Sequence, residues 1–203
     1  MSQWSDIAYT DDIRSAQQTY GTRECNKKLE SRDRDMSIDD NLAAFIATRD
    51  SIYLATASAD GRPYIQHRGG EPGFIKVLDN RTLGFAEYPG NKQLITTGNL
   101  FENDQAFIFM MDYPNRQRIK LWGRAEIVDN PAFIARVLDG GSAIDRKIAR
   151  AIRFRVEAWD ANCPKHITER YTSDVFAKAT EVMRNRIAEL EAEIAKLKRE
   201  TPD

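Results

Sequence analysis

The chain has 203 residues, with 30 Lys and Arg against 31 Asp and Glu and a formal net charge of −1. That length holds one domain with extensions or two small domains, and it buries a core without help from disulfides or metals. Charge this evenly balanced argues against a wholesale nucleic-acid binder. Two cysteines rule out a disulfide framework and a four-cysteine zinc site. No run of about 18 apolar residues marks a membrane span. With no apolar signal segment at the start, Cys25 and Cys163 read as reduced thiols of a cytoplasmic protein.

Residues 1–36 form a polar arm. Within it "DIRSAQQTYG" predicts a short helix carrying Ile13, Ala16 and Tyr20 on one side and ending at Gly21, and "TRECNKKLESRDRD" reads as a solvated strap. A clearer helix follows at "SIDDNLAAFIATRD", with Ser37 as N-cap, Asp40 completing a capping box, and Ile38, Leu42, Phe45 and Ile46 on one face. The period then shortens to that of strands. "SIYLATA", "YIQHR", "FIKVLD" and "TLGFAEY" are separated by compact turns centred on Asp60-Gly61, "GGEPG" and Asp79-Asn80-Arg81, the pattern of an antiparallel meander.

"PGNKQLITTGNL" predicts a short helix from Asn91. "DQAFIFMMD" is an apolar strand covered on both faces, and "QRIKLWGRAEIV" alternates, with Gln117, Ile119, Leu121, Ala125 and Ile127 on one side. Asp129-Asn130-Pro131 starts a helix through Leu138 that Gly140-Gly141 stops. In "AIRFRVEAW" strict alternation sets Ile152, Phe154, Val156 and Ala158 on the core side, so Trp159 falls with Arg153, Arg155 and Glu157 on the polar side. From Ser173 one long helix places Phe176, Met183, Ile187, Leu190, Ile194 and Leu197 on a heptad seam. That seam suits either a parallel two-stranded coil or a helix laid back on its own domain. The expected fold is mainly β with flanking helices: six or seven strands in a small antiparallel split barrel over 37–172, preceded by the arm and followed by the helix 173–203.

The chemistry-bearing residues are few. Cys163 and His166 in "CPKH", with His67, lack a fourth ligand and are separated by the cation Lys165, so no metal site is expected. Lys165 and His166 would lower the Cys163 pKa, but an inert loop thiol accounts equally for that residue. "EYPGNKQ" places Lys92 where a helix start gathers backbone N–H groups, a favourable place for an anion; an ordinary capped helix reads the same way. In "YIQHR" the pleat puts Gln66 and Arg68 on one face and His67 on the other.

Taken together, "QHRGGEPGFIKVLDNRTLGFAEYPGNKQLITTGNL", "MMDYPNRQRIKLWGRAEIV" and "WDANCPKHITERY" resemble the pyridoxamine 5'-phosphate oxidase-like flavoproteins, the FMN-binding split-barrel family, in a branch without an assigned substrate. The resemblance spans about 38–172 and implies an FMN-dependent oxidoreductase, a homodimer with the flavin at its interface, acting on a small molecule, with NAD(P)H as a candidate donor. It implies that Gln66, His67 and Arg68 line the ring and ribityl chain and that Ala86 and Glu87 face the flavin. Asn91, Lys92 and Gln93 would hold the phosphate, helped by Arg68. Gln117 would reach the flavin across the dimer, and Trp159 would lie beside the ring system. The stretch "ANCPKHITERY" lacks the Arg-x-His ending that grips substrate in the enzymes making pyridoxal phosphate, so vitamin B6 oxidation is not expected. It reads instead as a lip in which Lys165, His166 or Arg170 would hold an anionic substrate, with Lys165 and His166 the weak candidates for a catalytic role. Competing readings are a low-turnover flavin sensor or stress protein, a deazaflavin in place of FMN, a haem protein with His67 or His166 as axial ligand, and an adaptor built around the coil.

Overall fold

The computed structural model describes residues 4–31, 34–88, 90–138, 148, 150–161 and 164–200. The polar arm contributes α1 (Trp4–Ala8), α2 (Asp11–Thr19) and α3 (Arg23–Glu30). Then come α4 (Asp40–Ala47), β1 (Ser51–Ala57), β2 (Pro63–Gly69), β3 (Lys76–Asp79), β4 (Thr82–Glu87), α5 (Ile95–Glu102) and β5 (Gln105–Asp112). The chain continues through β6 (Gln117–Val128), α6 (Pro131–Leu138), β7 (Arg150–Ala161) and α7 (Ser173–Glu200). Its contacts fall into two units: Met1–Asp112 with Gln117–Pro164, and Tyr113–Arg116 with Lys165–Asp203. No helix among the described residues is long and apolar enough to cross a membrane.

Seven antiparallel strands make one sheet in the order β2-β1-β5-β6-β7-β4-β3. The fold is mainly β with flanking helices, as expected. One face of each central strand feeds a common core: Ile52 and Leu54, Leu83 and Phe85, Ile108 and Met110, Leu121, and Ile152 and Phe154 are all fully buried. Such side chains each contribute roughly 1.5–3 kcal/mol on burial. The sheet is curled until its ends meet. Arg68 on β2 stands 3.6 Å from Glu87 on β4, although β2 is the first strand in the order and β4 the sixth. A flat sheet with strands about 4.8 Å apart would separate them far beyond side-chain reach. Side chains, not a backbone ladder, span this opening, which is the sense in which the barrel is split.

Three expectations are corrected. The first four strands do not form a meander: β2 and β3 lie at opposite edges of the sheet, and β1 pairs with β5. Local turns specify the β1–β2 and β3–β4 hairpins, but curling the sheet sends the connection between them across the opening. The N-cap of α4 is Asp39, whose carboxylate accepts from Leu42 N–H at 2.7 Å, while the Ser37 hydroxyl donates to Asp35 instead. The strap is helical, since α3 is clipped by Arg23 donating twice to Glu30, at 2.6 and 2.9 Å. The stop at Gly140-Gly141 lies outside the described residues.

Strict alternation also fails in β7. Gly123 pairs with Val156 but Trp122 pairs with Ala158, so a bulge inserts Glu157. Beyond it the faces exchange. Ala158 turns to the cluster around Trp4, and Trp159 turns to the central core, its indole N–H donating to Ser37 O at 3.0 Å. Trp159 is therefore half-buried against the core rather than on the polar face. Gly123 makes the bulge possible, because a Cβ there would sit 2.0 Å from the Arg155 carbonyl oxygen.

Candidate functional site

The opening between β2 and β4 is the candidate site. On β2 the pleat aims Tyr64, Gln66 and Arg68 to one side, and the chain leaving β4 supplies Glu87 and Tyr88. The β4–β7 register places Arg150 directly opposite Glu87. Residues 90–96, running into α5, close the third side, and the enclosed cleft measures about 140 Å³.

Glu87 anchors the cleft floor. Its side chain is only 7 % exposed, and it gathers Arg68 at 3.6 Å, Arg150 Nε at 2.9 Å and the Thr97 hydroxyl, which donates at 3.2 Å. Glu87 Oε2 is thus ion-paired with Arg150, whereas the buried Arg68 Nε has no hydrogen-bond partner among the described residues. Buried polar atoms left without partners are costly and mark places where a ligand atom belongs. Burial pulls the Arg68 guanidinium below its ordinary value, and Glu87 pushes in the opposite direction. Gln66 is held by Thr96, whose hydroxyl donates to Oε1 at 2.8 Å.

The segment before α5 is wound unusually tightly. Lys92 and Leu94 both have left-handed backbones, with φ of 61° and 55°. For residues with a Cβ this costs about 1–2 kcal/mol each. Asn91 steadies the turn: its amide donates to Gln93 Oε1 at 2.9 Å, and its Oδ1 accepts from Gln93 N–H at 3.1 Å. The consequence is that α5 starts at Ile95, not Asn91, with no side-chain cap from Leu94. Its first N–H groups have no intrahelical acceptor and lie at the wall of a cleft also lined by Lys92 and Arg150.

A curled antiparallel sheet with flanking helices is what the resemblance led us to expect. Residues 38–163 match the family model for pyridoxamine 5'-phosphate oxidase. The chain belongs to the pyridoxamine 5'-phosphate oxidase family. No curated protein matches it. Among solved structures, HupZ of Group A Streptococcus is similar at 16% identity and TM-score 0.49, over 66% of this chain and 99% of that one. An FMN-binding protein from Syntrophomonas wolfei is similar at 12% identity and TM-score 0.46, over 72% and 97%. An F420 reductase is similar at 22% identity and TM-score 0.41, over 57% and 94%.

Of the residues the family resemblance nominated, Gln66, Arg68, Glu87, Asn91, Lys92 and Gln93 meet in the cleft. His67, Ala86, Gln117 and Trp159 do not line it. His67 points to the opposite face of β2, edge-on to Tyr53 with ring centroids 5.7 Å apart. Ala86 packs under α6 with Ile134, Val137 and Ala151. Gln117 is exposed at the start of β6. Lys165 and His166 are exposed members of the second unit, His166 with φ of 65°. Cys163 lies outside the described residues. Sequence reasoning missed Tyr64, Tyr88, Thr96 and Arg150. Tyr64 shares the parity of Gln66 and was within reach of it. Arg150 was not, since only the β4–β7 pairing brings it to Glu87.

Proposed function

We propose that this chain is an FMN-binding oxidoreductase that acts on a small molecule as a homodimer, with the flavin at the subunit interface. The observation that carries the reading is the convergence of Arg68, Lys92 and Arg150 on one cleft whose single buried acid is Glu87. That excess of positive charge suits a phosphate dianion. Lys92 and Arg150 would take its charge, and the side chains of Asn91 and Gln93 with the first N–H groups of α5 would take its oxygens. The unsatisfied Arg68 Nε and the Gln66 amide would face the polar edge of the ring, while Tyr64, Tyr88 and Ile95 offer it apolar walls. FMN, when bound, supplies the redox chemistry. The chain's own work is orientation and electrostatics: Glu87 holds Arg68 rigid and charged, and Arg68 favours negative charge on whatever it faces.

Two features support the dimer. A cleft of about 140 Å³ is well below the roughly 300–1,000 Å³ that enclose a drug-sized ligand, so another wall is needed. The outer face of β2, β1 and β5 is also apolar and only half covered. The register sets Ile65, Ala55 and Phe107 in one row and His67, Tyr53 and Phe109 in the next. Ile65 is 62% exposed. Contiguous apolar surface of this kind marks an interface. Gln117, outside its own cleft, would then serve the partner's. Titration with FMN tests the reading: Lys92→Ala and Arg150→Ala should each weaken binding at least about tenfold, and unchanged affinity in both variants would refute the phosphate assignment.

A further inference from the structure

Helix α7 runs unbroken for 28 residues. Phe176, Met183, Ile187, Leu190, Ile194 and Leu197 lie along one stripe of it, stepping alternately by three and four residues with Thr180 filling the remaining place. All are exposed, from 41% at Leu190 to 68% at Met183. A lone helix in water gains nothing from such a stripe, and its stability comes from covering it.

We propose that α7 pairs with α7 of a second copy of this chain in a parallel two-stranded coiled coil. Ile187 and Ile194 occupy a positions, and Leu190 and Leu197 occupy d positions, the combination that favours two parallel strands. Flanking charges agree. Arg186 at g faces the partner's Glu191 at e, and Glu193 at g faces the partner's Lys198 at e. Within one chain Arg186 pairs with Glu189, at 2.9 Å across one turn on the helix surface, a contact compatible with the interchain pair. An antiparallel pairing at full overlap would also match charges, setting Arg186 against the partner's Glu193 and Arg184 against the partner's Glu191. Its core is poorer, because Leu197 would meet Thr180 and Ile194 would meet Met183. The parallel arrangement stacks Ile on Ile and Leu on Leu. The coil is independent of what the cleft binds, and it gives the dimer a second contact that raises the effective concentration of the barrels for each other.

Cross-linking in the full-length chain tests this. In a background of Cys25→Ser and Cys163→Ser, Leu197→Cys at d should oxidise to an interchain disulfide dimer, and Asn185→Cys at the outward f position should not. Adding Arg186→Glu to Leu197→Cys should slow the cross-link by about tenfold, since it turns two symmetry-related attractions into repulsions. Adding Glu191→Arg as well restores the rate in a parallel coil, whereas an antiparallel coil, which sets position 197 against position 180, gives no 197–197 cross-link in any of these variants. Equal cross-linking at positions 185 and 197, none at 197, or no rescue by Glu191→Arg overturns the proposal. FMN titration of the same variants at a protein concentration that keeps the barrels dimeric gives the parent affinity, so failure of the coil is distinguishable from failure of the flavin reading.

Discussion

At the scale of residues the site turns on Glu87. A nearly buried carboxylate between two guanidiniums keeps their mutual repulsion in check, and removing one member of such a group commonly costs about 3–5 kcal/mol. Glu87→Gln should therefore lower the stability of the free protein, by roughly 3 kcal/mol in urea unfolding. It should also raise the thermal shift produced by inorganic phosphate, since the cleft loses its only buried acid. A variant as stable as the parent, with an unchanged phosphate response, would show that Glu87 organises neither cation. Much of this cluster was legible beforehand. Gln66 and Arg68 follow from the two-residue pleat, and Lys92 from its place after a strand and a Pro-Gly turn. Arg150 was hidden, because a pairing between strands more than 60 residues apart leaves no local signal.

Elements explain where the pattern misled. Alternation predicted β7 correctly as far as Val156 and failed at Trp159, because a bulge shifts every later side chain to the other face. Gly123 was the available clue, since a glycine inside a strand often marks such an irregularity. Gly123→Ala, whose Cβ would collide with the Arg155 backbone, should cost roughly 3 kcal/mol in urea unfolding; a cost below about 1 kcal/mol would mean that the bulge relaxes freely. The start of α5 moved for a similar reason: left-handed turns at Lys92 and Leu94 are choices of the folded loop that propensity does not show. In the arm, the hydrogen bond from Arg23 holds the Glu30 carboxyl below its ordinary value of 4.5. A depressed folded value means that the stabilisation is complete above the ordinary value and disappears as pH falls through the folded one. Amide resonances of α2 and α3 should accordingly shift together below about pH 4.5, and Glu30→Gln should abolish that inflection. An inflection that persists in the variant would assign the acid sensitivity elsewhere.

For the whole molecule, the strand inventory, the helices α2, α4, α6 and α7 and the mainly β class were readable from periodicity and turns, whereas α1, α3 and the order of strands in the sheet were not. That order is set by the curl that brings β2 to β4, and the curl creates the cleft. One protomer thus presents a basic cleft too small for a nucleotide-sized cofactor and an apolar face that the described residues only half cover, and we propose that a second copy completes both. Sedimentation velocity with added FMN, followed at a wavelength where only flavin absorbs, tests this most directly. The account predicts that flavin travels with a species of two 23.2 kDa chains at one flavin per chain. Flavin that sediments free, beside a chain that sediments as a monomer, would contradict it.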